Sequence, residues 1–216
     1  RVACKEIGGF IYPKAYRADD VKAFDAQLTL KEQVLGLDHG HFDIIVLMET
    51  PEAILNAYEI ATASPRVIGL LFGSEDFLAD VEGFHGLDGR SILCPRHIIS
   101  MAARAAGIAA IDTPYVKVHD DEGLRVHISQ ARELGYEGML VMTPRQIEIA
   151  RKMYTPAEEK VEEAREMVRL AAEAAAADRG IAVSRGVFIS PPTLKRAENL
   201  LKRYDAIKAF EEYRGF

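Results

Sequence analysis

Glu49 and Asp76 are the residues from which chemistry can first be read. Glu49 follows the apolar run Ile44–Met48, and Asp76 follows the run Val67–Phe72 within Gly73-Ser74-Glu75-Asp76. They stand 27 positions apart, close to one strand–helix repeat. Between them, Glu52–Ala63 carries apolar residues at Ala53, Ile54, Ala57, Ile60 and Ala61, a helical spacing. Strand, helix, strand is a βαβ unit with parallel neighbouring strands. The two acids then fall at the carboxyl ends of adjacent strands, where they can share a hard divalent cation. Magnesium takes oxygen ligands in near-octahedral geometry and uses one or two protein carboxylates, leaving water and substrate to complete the set. The competing role for each acid is to cap the helix after it.

Three further residues belong to this reading. Lys14 follows the apolar stretch Gly9–Tyr12; it either balances the acidic pocket, meets an anionic substrate, or is simply exposed. Asp112 ends the run Ile108–Asp112 and either hydrogen-bonds across the mouth of the site or caps the turn at Thr113-Pro114. Glu75, adjacent to Asp76, is expected to point the other way, to solvent or behind the ligands. Arg96, Arg104 and Arg145 are candidates for holding phosphates or carboxylates, with a surface role as the alternative. The six histidines show no zinc spacing, and His39 and His41 fit a solvated loop. No GxSxG, Walker-A or GxGxxG motif occurs, which argues against hydrolase, nucleotidase and dinucleotide chemistry.

The elements that must position these residues are five short strands, at Gly9–Tyr12, Ile44–Met48, Val67–Phe72, Ile108–Asp112 and Gly138–Met142. Nearly all are continuous apolar runs, the pattern of a parallel sheet covered on both faces. Helices are expected from Asp19 as N-cap to a stop at Gly36, over Ile92–Gly107, and over Asp120–Gly135. Leu78–Arg90, with three glycines, reads as a loop over the strand ends. Thr155-Pro156-Ala157-Glu158 reads as a capping box opening a helix over 156–178. A short segment, Val183–Ile189, leads to a last helix over Thr193–Tyr213. Residues 1–154 thus form strand–helix units, and 155–216 a helical extension or lid.

Composition bounds the partners. The 216 residues are 49% hydrophobic and 28% charged, as in an ordinary soluble domain. A net charge of −6 offers no basic face for nucleic acid, and no apolar run is long enough to span a membrane. The only two cysteines, Cys4 and Cys94, are expected to be reduced and buried, which suits the cytoplasm. The chain has no initial Met and enters almost directly into its first strand, so it is expected to be part of a longer protein.

The motifs, taken in order, carry a resemblance. FIYPKA, VLMETPEAILNAYEIA, GLLFGSEDFLADV, ARAAGIAAIDTPYVKVHDDEGL, ARELGYEGMLVMTPRQIEIA and YTPAEEKVEEAREMV together resemble the citrate lyase beta-subunit family and its malyl-CoA and citramalyl-CoA lyase relatives. The resemblance covers nearly the whole chain. It implies an α/β fold, a TIM (β/α)8 barrel lacking its first three strands in this sequence. It further implies Mg2+ held at Glu49 and Asp76, and a homotrimer in which the C-terminal segment covers a neighbour's site. The implied activity is reversible carbon–carbon cleavage of a citryl-, malyl- or citramalyl-CoA-like ester, or of a small 2-oxo or 2-hydroxy acid. Lys14 and Asp112 are the candidate catalytic groups beside the metal pair. A pyruvate-type class II aldolase without CoA is the alternative, as is a diverged, non-catalytic paralogue. Two positions depart from the family pattern. Ser190, in VFISPPTLKRA, stands where the lyases carry an acid/base Asp, and Thr143-Pro144 stands where they carry His-Pro.

Overall fold

The computed structural model describes residues 3–86, 88–177, 183–184 and 186–215. The chain divides into two compact units, Arg1–Tyr154 and Thr155–Phe216.

The first unit is built on a five-stranded, all-parallel sheet in sequential order, β1 (Gly9–Tyr12), β2 (Asp43–Met48), β3 (Val67–Phe72), β4 (Ala109–Asp112) and β5 (Gly138–Met139). Sequential order with a helix in every crossover is the order of a barrel wall. The connecting helices are α1 (Ala18–Leu35), α2 (Pro51–Leu55), α3 (Ala57–Ala61), α4 (Ser74–Asp80), α5 (Arg90–Ala106) and α6 (Asp121–Glu133), and α7 (Pro144–Tyr154) follows the last strand. Ile44, Val46 and Met48 of β2 pack in one core with Val21, Leu28, Ile54, Ile60 and Ile99 from the helices. The opposite face is more open than expected: Ile11 is 51% exposed and Ile68 45%. In a closed barrel that face is filled by strands from the far wall, so helices alone cover one side here.

Several boundaries move for local reasons. Asp19 is not the cap of α1; it is exposed and pairs with Lys22, while Asp20 accepts the Tyr16 and Arg17 N–H groups at 2.8 and 2.9 Å. Gly36 and Gly107 do end their helices in the left-handed region, at φ 66° and 74°. The single helix expected over 52–63 is two short ones, divided at Asn56. The stretch read as a loop from Leu78 begins inside α4, and α5 starts at Arg90 rather than Ile92. Leu87 of that stretch lies outside the described residues. Cys4 and Cys94 are both free, but neither is fully buried, and Cys94 is exposed.

The second unit holds α8 (Glu158–Ala176), a hairpin of β6 (Val183–Ser184) and β7 (Val187–Phe188), and α9 (Pro191–Arg214). The helix α8 begins two residues beyond Pro156, with Ala157 at its N-cap and no side-chain cap, so the expected capping box does not form. Asp178, the expected end of that helix, and Arg185, within the segment 183–189, lie outside the described residues. Tyr204 ties α9 to α8 by donating to Glu158 Oε1 at 2.6 Å. Among the described residues, no helix is long and apolar enough to cross a membrane.

At the amino end of the sheet, Arg66 is buried among carboxylates. It donates to Asp25 Oδ1 at 2.5 Å and to Glu32 Oε1 and Oε2, each at 2.6 Å. Burial pushes the Glu32 carboxyl up. Hydrogen bonds from Arg66 and from the Phe42 and Gly40 N–H groups outweigh that and hold it at about 2, below its usual 4.5. A carboxyl depressed on folding stabilises above its unfolded value and loses that contribution as pH falls toward the folded one. Between about pH 4.5 and 2, the wild-type protein is therefore expected to lose stability more steeply than Glu32→Gln, measured as urea midpoint against pH. Parallel slopes would show that folding leaves the Glu32 carboxyl at its unfolded value.

Candidate metal centre

The carboxyl ends of β1, β2 and β3 bring together Lys14, Glu49 and Asp76. Glu49 directly follows β2, and its side chain is only 4% exposed. The capping role open to it belongs to its neighbour instead: Thr50 Oγ1 accepts the Ala53 N–H at 3.1 Å, with Pro51 in the first turn of α2. Asp76 does not sit on the strand end itself but in the first turn of α4, two residues after Ser74, and is half-exposed. Lys14 reaches both acids. Its backbone N–H donates to Glu49 Oε1 at 2.8 Å, and its ammonium donates to Asp76 Oδ1 at 2.7 Å and lies 3.7 Å from Glu49 Oε1. The Asp76 hydrogen bond and the charge of Glu49 hold the Lys14 ammonium above its usual range despite some desolvation.

Two backbone features make this convergence possible. Lys14 adopts φ 53°, a left-handed conformation costly for a residue with a Cβ, and this turn accompanies the N–H donation to Glu49. Gly73 lets the end of β3 approach Glu49, since a Cβ there would lie 2.8 Å from the Glu49 Cβ. Ser74 then anchors α4 to the next strand end through Thr113, its Oγ 2.7 Å from Thr113 Oγ1. Glu75 faces away, paired with the exposed His85.

Asp112 is not brought to this cluster. Its carboxylate is fully buried and occupied: Arg96 donates to Oδ1 at 3.0 Å and to Oδ2 at 2.5 Å, and His127 Nε2 lies 3.1 Å from Oδ2. Burial pushes the Asp112 carboxyl up, but His127 and the Arg96 guanidinium outweigh burial and hold it below the usual range. The expectation that Asp112 reaches across the mouth of the site, or caps the turn after it, is thus corrected to a buried ion pair. Arg96, read as a phosphate holder or a surface residue, is 1% exposed and takes the other half of that pair. Arg104 and Arg145 are on the surface, paired with Glu137 and Asp121. Arg96 and His127 also line a cavity of about 350 Å3 with Ile92, Tyr115, Lys117 and Val126. His127 had no signal in the sequence; it lies 15 positions beyond Asp112, and only the packing of α6 brings it close.

Among the described residues, no three His, Cys, Asp or Glu side chains are grouped to hold a metal. Two carboxylates are what magnesium asks of a protein, and the donor set here is of that kind. The Lys14 ammonium is a stand-in for the cation, since Glu49 and Asp76 already share one positive charge. The residues present therefore fit magnesium.

Residues 1–144 match the family model described as HpcH/HpaI aldolase/citrate lyase. The citrate lyase beta subunit of Haemophilus influenzae is 34% identical over 191 residues, which are 88% of this chain and 66% of that protein. Among solved structures, protein CitE from Mycobacterium tuberculosis, in complex with magnesium, acetoacetate and coenzyme A, matches with a TM-score of 0.63 and 33% identity. That match covers 76% of this chain and 61% of CitE. A citrate lyase from Burkholderia xenovorans matches 93% of this chain and 64% of its own, with a TM-score of 0.80 at 22% identity, a likeness of fold alone. The chain thus spans about two thirds of the length of the proteins it matches.

Proposed function

Because the chain belongs to the HpcH/HpaI aldolase/citrate lyase family, we propose that it carries the metal-binding wall of a magnesium-dependent carbon–carbon lyase. Its substrate class is an acyl-CoA ester of a hydroxy acid, of the citryl-, malyl- or citramalyl-CoA kind, or the related small 2-oxo or 2-hydroxy acid. The observation that carries this reading is the convergence of Glu49, from the end of β2, and Asp76, from the first turn of α4 after β3, on a single positive charge. In this role Glu49 and Asp76 hold Mg2+, which supplies the Lewis acidity that polarises a substrate carbonyl. Glu49 is fixed by the Lys14 N–H and by the close approach of Gly73, so its oxygens need little reorganisation. Asp76, half-exposed, faces the side from which substrate enters. Lys14 supplies positive charge at the mouth, suited to an anionic substrate. Asp112 acts at a distance, holding Arg96 and His127 at the neighbouring cavity. A homotrimer in the cytoplasm belongs to the same proposal.

Ser190 favours the alternative of a diverged paralogue. It caps α9, accepting the Thr193 N–H at 3.3 Å, and supplies no carboxylate for proton transfer. The discriminating experiment is an assay of the intact protein for acetyl-CoA condensation with glyoxylate, beside retro-aldol release of pyruvate. The expected result is condensation that chelator abolishes and Mg2+ restores. Pyruvate release alone would point to the aldolase, and no metal-dependent turnover of either kind to the paralogue.

A further inference from the structure

The position of Lys14 has a consequence for how the centre loads. Its ammonium lies 2.7 Å from Asp76 Oδ1 and 3.7 Å from Glu49 Oε1, against the two carboxylates that would hold a shared metal. The arrangement is built: the residue is held at φ 53°, and its N–H and Nζ engage the same carboxylate pair from two directions. The side chain is 51% exposed, so the ammonium can leave into water without crossing packed core. A univalent and a divalent cation about 4 Å apart repel by more than the thermal energy even in water. Occupancy of the pair by both at once is therefore disfavoured.

We propose that Lys14 is a tethered competitor for the metal, whose ammonium fills the place between Glu49 and Asp76 and is displaced when a divalent cation enters. This inference rests on the reading of Glu49 and Asp76 as metal ligands. Lys14 thereby sets the metal affinity of the centre below what its two carboxylates alone would give. It also keeps the pair from repelling itself when no metal is bound. Once displaced, the ammonium is a free positive charge at the rim of a pocket of about 330 Å3 that Lys14 lines with Tyr16, Glu49, Thr50 and Asp76.

The test uses Mn2+ as the probe, titrated into wild type, Lys14→Met and Lys14→Arg and followed by the electron paramagnetic resonance of free Mn2+. Lys14→Met keeps the backbone N–H and the aliphatic stem but removes the charge. It is expected to bind Mn2+ about tenfold more tightly than wild type, and its melting temperature is expected to rise more on metal addition. Lys14→Arg, which retains a cation, should stay closer to wild type than Lys14→Met does. Equal or weaker Mn2+ binding by Lys14→Met would overturn the competition while leaving the metal centre standing. Absence of Mn2+ binding in wild type and both variants would remove the metal reading and this inference together.

Discussion

Glu49→Gln is expected to lower turnover by two to three orders of magnitude, on the order found when one preorganised electrostatic contact is removed from an active site. The substitution nearly preserves shape. The new amide oxygen can still accept the Lys14 N–H that Glu49 Oε1 accepts at 2.8 Å, and the side chain stays in its buried slot beside Gly73. What is lost is the charge that a hard cation requires of its ligand. Mn2+ affinity should fall together with kcat, while the melting temperature of the metal-free protein changes little. Turnover at the wild-type level in Glu49→Gln would defeat the assignment, because among the described residues no third His, Cys, Asp or Glu is grouped with Glu49 and Asp76 to take its place on the cation. Asp76→Asn is expected to act in the same direction.

The largest effect on stability is expected from Arg96→Leu. Arg96 and Asp112 are 2% and 0% exposed at their side chains, and only His127 would remain to face the carboxylate. Breaking a buried pair from one side costs about 3–5 kcal/mol, since it leaves a charge desolvated and uncompensated. The loss should read as a lowered urea midpoint. Adding Asp112→Asn to Arg96→Leu should recover part of it, because a neutral amide is far cheaper to bury than a carboxylate. If Arg96→Leu alone costs under about 1 kcal/mol, the figure for an exposed pair, the pair is hydrated rather than buried.

The two acids at the candidate centre were legible because they follow long apolar runs one repeat apart. In a parallel fold, that places them at or just beyond neighbouring strand ends, Glu49 after β2 and Asp76 in the first turn of α4. Glu49 and Asp112 show the limit of that reasoning. Each is an acid after a continuous apolar run, and nothing local separates one from the other. The difference lies in partners distant along the chain: Lys14, 35 positions before Glu49, and Arg96 and His127, on helices either side of β4. Helix ends were legible where glycine must turn left-handed, at Gly36 and Gly107. They were misread at Asp19 and at Thr155-Pro156-Ala157-Glu158, where the residues at the helix starts are Arg17 and Ala157 instead.

By itself, then, the sequence determined the run of strands and helices, their parallel pairing and the family, because apolar period and motif order are local properties of the chain. The tertiary structure alone decided which charges meet. It set Lys14 between Glu49 and Asp76, withdrew Asp112 into an ion pair with Arg96, and gave Thr50 rather than Glu49 the helix cap. Charges find partners by distance in space and by the cost of leaving water. Neither quantity exists until the strands are side by side.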